Sequence, residues 1–433
     1  MLILTGLLIF GAGLQTPVLF AEEIDTASSQ QISVNNPTIR TLPRSQDNQN
    51  IPISRPCQNS RDIPPEIRVA DDSDSWLVLY NLSNADSVAW AEFFKNAYCI
   101  PDENMLGISN VWPHDYLPNF AMLRDQIIIP VTTYLNEHPE IKSKIMGIVL
   151  GYAMPGKYCD WFNTQGGCNY PPTGSGLSVS NALQDLSDVM VEIETSQARD
   201  NINSQQLYFN GSNLPPRLTK QTLLADHYLV SRIDAPTLEL AKDLTRRAKI
   251  ISNSDHFLTN QKIYYDHSDI QRGLWANLGY VIPGGTLHSF FSEAVWQNFD
   301  SDTQPTSGFA AFRFDWHDTT NWNNGRLIDQ GTSGSRILAY NLNSWGAVEV
   351  RSSTAGSRFV PNAIENGWAA AIGSTTEPLF LPLTPKPANL LACLKAGWTI
   401  AEAMYLSNPY DDWTWTLIAD PFLKIPHWFG ETE

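Results

Sequence analysis

The stretch RFDWHDTTNWN, residues 313–323, places Asp315, His317 and Asp318 within four positions of one another. Residues two apart on an extended segment project to one face. Asp315 and His317 can then act as an acid–base pair, or, with Asp318, as ligands of a metal ion. No third protein ligand stands nearby, so a polar loop studded with tryptophans remains the competing reading. Glu377 follows the run AIGSTT and is placed to serve as a general acid or base, or to cap the next turn. Together, Asp315 and Glu377 would form the carboxylate couple that glycoside hydrolysis uses.

A second cluster lies in AYNLNSWG, residues 339–346. Asn341 and Asn343 alternate around Leu342, and Ser344 and Trp345 follow. Amides are a poor way to finish a buried strand, so this reads as a site edge or the remains of one. Arg232 and Asp234 share a face of another strand, either as an anion-binding pair or as an internal ion pair. The candidate catalytic set is Asp315, His317, Ser344 and Glu377. The candidate ligand-binding set is Asn341, Asn343, Trp316, Trp345, Arg232 and Asp234. Cofactor use is left unassigned.

These residues need elements to position them. WLVLYNLS (76–83), IMGIVLGY (145–152) and HYLVSRID (227–234) are continuous apolar runs of strand length. SVAWAEFFKNAY (87–98) and APTLELAKDLTRRAKI (235–250) follow two of them at helical spacing, the first with Ser83 or Asp86 as candidate cap. Strand–helix alternation predicts an α/β fold with mainly parallel sheets covered by helices. The style repeats with IYYDHSD, RILAYNLNS, a helix ending at Gly367, the strand WAAAIGS and a helical stretch broken near Gly397. TLIADPFLKI supplies a last short strand. The predicted organisation is an N-terminal α/β subdomain over 71–255 and a C-terminal one over 256–433. Ligands in such sheets bind at the carboxyl ends of strands. That rule selects Asn81, Tyr152 to Pro155, Arg232 with Asp234, Asn341 to Ser344, Glu377 and Asp420.

The chain has 433 residues, 42% of them hydrophobic and 17% charged, which describes a folded protein. Its net charge of −17 and lack of any basic cluster argue against a nucleic-acid partner. Residues 1–21 carry no charge and read as a secretory signal peptide, with an uncleaved anchor as the alternative. Residues 22–70 are polar and Pro-rich, a linker or disordered tail. No later run is apolar enough to span a membrane. Export to the periplasm or beyond permits disulfides. Cys159 and Cys168 flank a Gly-rich loop and are expected to pair. Cys57 and Cys99 are left open, and Cys393 reads as a small buried residue. Walker, Rossmann, zincin and Gly-x-Ser-x-Gly motifs are absent from the sequence.

Four blocks carry a resemblance: WLVLYNLSNADSVAWAEFFKNAYCIPDENMLGI, IMGIVLGYAMP, HYLVSRIDAPTLELAKDL, and the long run from AAAIGSTTEP to ADPFLKI. Over about residues 71–428 the chain resembles a family of uncharacterised exported bacterial proteins found with exosortase-type sorting systems. Its tail also resembles, distantly, gingipain-type cysteine peptidases of caspase-like fold, through AIGST and ADP. The second resemblance implies a caspase-like architecture, but its chemistry would need a His-Gly strand end and a Cys strand end before AIGST. The chain has neither, so a thiolate mechanism fails on residues. The first implies that His is common near the places of Asn341 and Asn343, where this chain carries amides. An amide cannot take a proton near neutral pH. Two functions follow as expectations: an envelope hydrolase acting on peptide or glycan, or a non-catalytic protein binding a polysaccharide or an envelope protein.

Overall fold

The computed structural model describes residues 70, 72–159, 177–186, 217–224, 226–254, 261–266, 295–299, 309–316, 336–342, 346–351, 359–375, 384–408 and 414–426. The expected signal peptide, tail and 255/256 boundary fall outside them.

Ten strands form one sheet. They are β1 (Trp76–Asn81), β2 (Met105–Ile108), β4 (Gly147–Leu150), β7 (Leu229–Arg232), β8 (Gln261–Asp266), β9 (Val295–Phe299), β10 (Phe309–Trp316), β11 (Leu338–Leu342), β12 (Ala370–Ser374) and β13 (Trp415–Ala419). Their order is β2-β1-β4-β7-β13-β12-β11-β10-β8-β9. β1, β2, β4 and β7 pair in parallel, as do β8 to β12 in their own group, while β13 runs antiparallel to β12. The fold is therefore α/β with a mainly parallel sheet flanked by helices. Strands from both halves of the chain share this sheet, joined where β13 meets β7 at Ile418 and Arg232. A small second sheet holds β3 (Tyr116–Leu117), β5 (Lys157–Tyr158) and β6 (Leu177–Ser178).

The central strands are apolar on both faces because both are covered. Trp76, Val78, Val149 and Leu229 enter one core cluster, and Leu77, Leu79, Ile148, Leu150 and Val230 enter the other. That division follows the two-residue period of a strand. The outer strand β2 is short and half-buried, so its apolar signal is weak and the sequence reading passes over it. β9 and the small sheet are likewise additions of the structure.

Helices close the crossovers. The cap of α1 (Ala85–Tyr98) is Asn84, whose side chain accepts the Ser87 N–H. This corrects the expectation of Ser83 or Asp86. Ser83 instead uses its backbone N–H to reach the Asn81 side chain. The helix α2 (Ile129–Glu137) precedes β4, and α3 (Leu238–Ser252) follows β7 with Thr237 as cap. The helix α4 (Phe359–Glu365) ends before Gly367, which adopts φ +89°. The long helical stretch near the C-terminus is two helices, α5 (Pro387–Lys395) and α6 (Ile400–Ser407). Gly397 at φ +78° breaks it, and Thr399 with Glu402 forms a capping box that starts the second helix. Glu402 is fully buried and also takes a two-pronged bond from Arg217.

Candidate functional site

β10, β11 and β12 are adjacent and parallel, so their carboxyl ends open at one edge of the sheet. The register sets Asp315 opposite Asn341 and Trp316 opposite Leu342, and it sets Tyr340 opposite Ile372 two residues before Ser374 ends β12. Asn341 is half-buried, and its buried side-chain oxygen has no hydrogen-bond partner among the described residues. An unpaired buried acceptor is costly, so this oxygen is open to a donor. Beneath it, Tyr340 stacks on Trp415 at 5.8 Å and bonds the Pro385 carbonyl, which makes a rigid floor for the strand end.

Beyond β11 the chain bends across the end of β12. Ala347 donates its N–H to the Ser374 carbonyl at 2.9 Å, and Gly346 accepts from Val360 at the start of α4. The segment then reaches the carboxyl end of β7. Val350 donates its N–H to Asp115 at 2.5 Å, and Arg351 lies 3.3 Å from Asp115 and 3.5 Å from Asp234. Asp115 thereby links the segment that follows β11 to Arg232 at the end of β7.

Arg232 is the centre of that link. One of its terminal nitrogens is salt-bridged to both Asp115 and Asp234, and the whole residue is 1% exposed. Gly156 makes room for it: a Cβ at that glycine would fall 1.7 Å from the guanidinium. Burial works against ionisation of Asp115, but the Arg232 and Arg351 guanidiniums and the Val350 N–H outweigh it and hold the carboxyl below its usual range. Burial, with Asp234 second, pushes the nearby Tyr152 up to about 12. Two acids and two guanidiniums compensate one another here, which is the condition for burying charge at all.

Arg232 and Asp234 are thus engaged as ion-pair partners of a larger cluster. At Asp315 and Trp316 the backbone alone is described, and His317, Asp318, Asn343, Ser344, Trp345 and Glu377 lie outside the described residues. Asp420 requires a correction. β13 runs against β12, so Asp420 leaves the sheet away from the ends of β10 to β12, near Tyr98 at the end of α1 and Thr245 of α3. It belongs to the core rather than to the site edge. Trp76, Trp90 and Trp398 are core residues, as their strand and helix patterns imply.

Sequence reasoning missed Asp115 and Arg351. Asp115 lies among aromatics in VWPHDYLP and Arg351 in AVEVR, and their partners are more than a hundred positions away. Neither carries a local motif that could reveal it. Among the described residues no group of His, Cys, Asp and Glu is placed to hold a metal, and no helix is long and apolar enough to cross a membrane. Cys99 and Cys159 each belong to a disulfide and Cys393 is a buried free thiol, while Cys57 and Cys168 lie outside the described residues.

No protein-family model and no curated protein matches the chain. A solved protease structure is similar to it at 9% identity, with a TM-score of 0.39 over 82% of this chain and 78% of that one. The complex of the Porphyromonas gingivalis RgpB pro- and mature domains is similar at 11% identity, with a TM-score of 0.31 over 82% of this chain and 81% of that one. The functional reading rests on the residues of this chain.

Proposed function

We propose that the protein is an exported hydrolase of the bacterial envelope, acting on peptide or glycan at the edge where β10, β11 and β12 end. The observation that supports this reading is the common edge itself, with Asp315 in register with Asn341. In sequence, His317 directly follows β10, Asn343 and Ser344 follow β11, and Glu377 stands shortly after β12. In the proposed chemistry His317 takes the proton from the Ser344 hydroxyl or from a water, and Glu377 or Asp315 returns a proton to the leaving group. Asn341 and Asn343 orient the bound polymer by hydrogen bonds, and Trp316 and Trp345 flank it. The resemblance to exported proteins found with exosortase-type systems supports the envelope location.

The experiment is turnover by the pure mature protein on a panel of peptides and polysaccharides. Turnover that falls at least a hundredfold in His317→Ala and Glu377→Gln supports the reading. Turnover unchanged in both variants, or absent from the wild type on the whole panel, removes it. One observation favours a second reading, a binding protein without catalysis: the described strand end carries an amide, Asn341, which moves no proton. Absent turnover together with saturable binding that Asn341→Ala weakens is the outcome expected of that reading.

A further inference from the structure

The ion cluster turns Asp115 inward, and its neighbours in the chain form a row of rings. Trp112 and His114 have centroids 5.4 Å apart with planes tilted by 52°, and His114 and Tyr116 have centroids 6.1 Å apart with planes 24° from parallel. His114 is exposed, and Trp112 and Tyr116 are half-buried. The row is rooted at both ends. Trp112 packs on the core of α2 and β4, and its backbone N–H bonds the Gln126 side chain at 2.8 Å. Tyr116 lies in β3, in register with Lys157 of β5. Three adjoining aromatic side chains held by the backbone on either side, with the middle one in solvent, are not explained by core packing.

We infer that Trp112, His114 and Tyr116 form a stacking platform for a neutral polysaccharide. Three features select that occupant. The apolar C–H face of a sugar ring carries slight positive charge, which the negative face of an aromatic ring attracts. The one carboxylate within the row, Asp115, is turned away from the rings and spent on Arg232, Arg351 and Val350. The chain as a whole carries −17, which repels a polyanion. Asp115 also accepts the N–H of Val350, so the row and the segment that follows β11 share one buried anchor. The inference adds a substrate class to the proposed function and rests on it only for turnover, since platform binding needs no chemistry.

The test is calorimetric titration and affinity electrophoresis of the full mature chain with soluble β-glucan and dextran, and with alginate and a proline-rich peptide as the charged and peptidic arms. Saturable binding to a neutral glucan is expected, weakened tenfold or more in His114→Ala/Tyr116→Ala and in Trp112→Ala. His114 is exposed, so a His114→Ala single variant keeps the test open should the Trp112 variant fail to fold. His317→Ala, which abolishes turnover under the proposed function, should bind the glucan as the wild type does. That separates failure of the platform from failure of the catalytic reading. Glucan binding unchanged in His114→Ala/Tyr116→Ala, no binding to either neutral glucan, or tighter binding of alginate or the peptide would overturn the inference.

Discussion

Asp115 accepts the backbone N–H of Val350 at 2.5 Å although the two residues stand 235 positions apart. The bond ties the aromatic segment before β3 to the chain that leaves β11, and Arg232 of β7 completes the knot. One carboxylate thereby joins three segments that are distant in the chain.

Replacing Asp115 by Asn keeps an acceptor for Val350 but removes a charge from a buried cluster. Arg232 and Arg351 then lose a counter-charge in a site where solvent cannot substitute. Breaking one side of such a cluster costs about 3 kcal/mol. Urea denaturation of the Asp115→Asn protein should show a midpoint lowered accordingly with little change in slope. An unchanged midpoint would mean that Asp234 alone suffices for Arg232.

Gly156→Ala probes the same cluster from its other side. The added Cβ would meet the Arg232 guanidinium at 1.7 Å. Arg232 is 1% exposed and has no free volume to retreat into without leaving its carboxylates. The expected loss is at least about 2 kcal/mol, read by thermal unfolding. The Gly156→Ala/Arg232→Met protein should recover part of that loss.

Asp420 gives the fold a pH dependence. It is fully buried, and burial pushes its carboxyl up to about 7 against the opposing bonds of Thr245, Phe422 and Tyr98. The folded value lies above that of an unfolded carboxylate, so the native state binds the proton more tightly. Its contribution to stability is present at acidic pH and is lost as the pH rises through about 7. The loss from pH 4 to pH 8 is on the order of 3 kcal/mol. Denaturation midpoints for wild type should fall over that range, and Asp420→Asn, which mimics the protonated acid, should remove this part of the fall. Parallel curves for the two proteins would exclude Asp420 as the source.

Cys393 is a free thiol in the middle of α5, and burial pushes its pKa up. The thiolate is the reactive form, so iodoacetamide should leave Cys393 unmodified in the native protein and label it once the chain is unfolded in denaturant. Mass spectrometry after each treatment reads the outcome. Labelling of the native protein at a rate typical of exposed thiols would contradict the buried position.

Local pattern alone determined the central strands and the helices that follow them. Continuous apolar runs marked β1, β4 and β7, because a strand covered on both faces has no polar alternation to hide. Gly367 and Gly397 marked helix ends, because each takes a positive φ that costs other residues energy. Strand–helix alternation was enough for an α/β fold with a mainly parallel sheet. It also placed Asn341 at a strand's carboxyl end. What only the tertiary structure decided was which strand ends share an edge. The antiparallel pairing of β13 with β12 sent Asp420 away from the ends of β10 to β12, and no feature of TLIADPFLKI reports strand direction. The Asp115–Arg232–Asp234–Arg351 cluster was invisible for the same reason. Its charges are spread over distant segments, and electrostatic pairing depends on separation in space rather than along the chain.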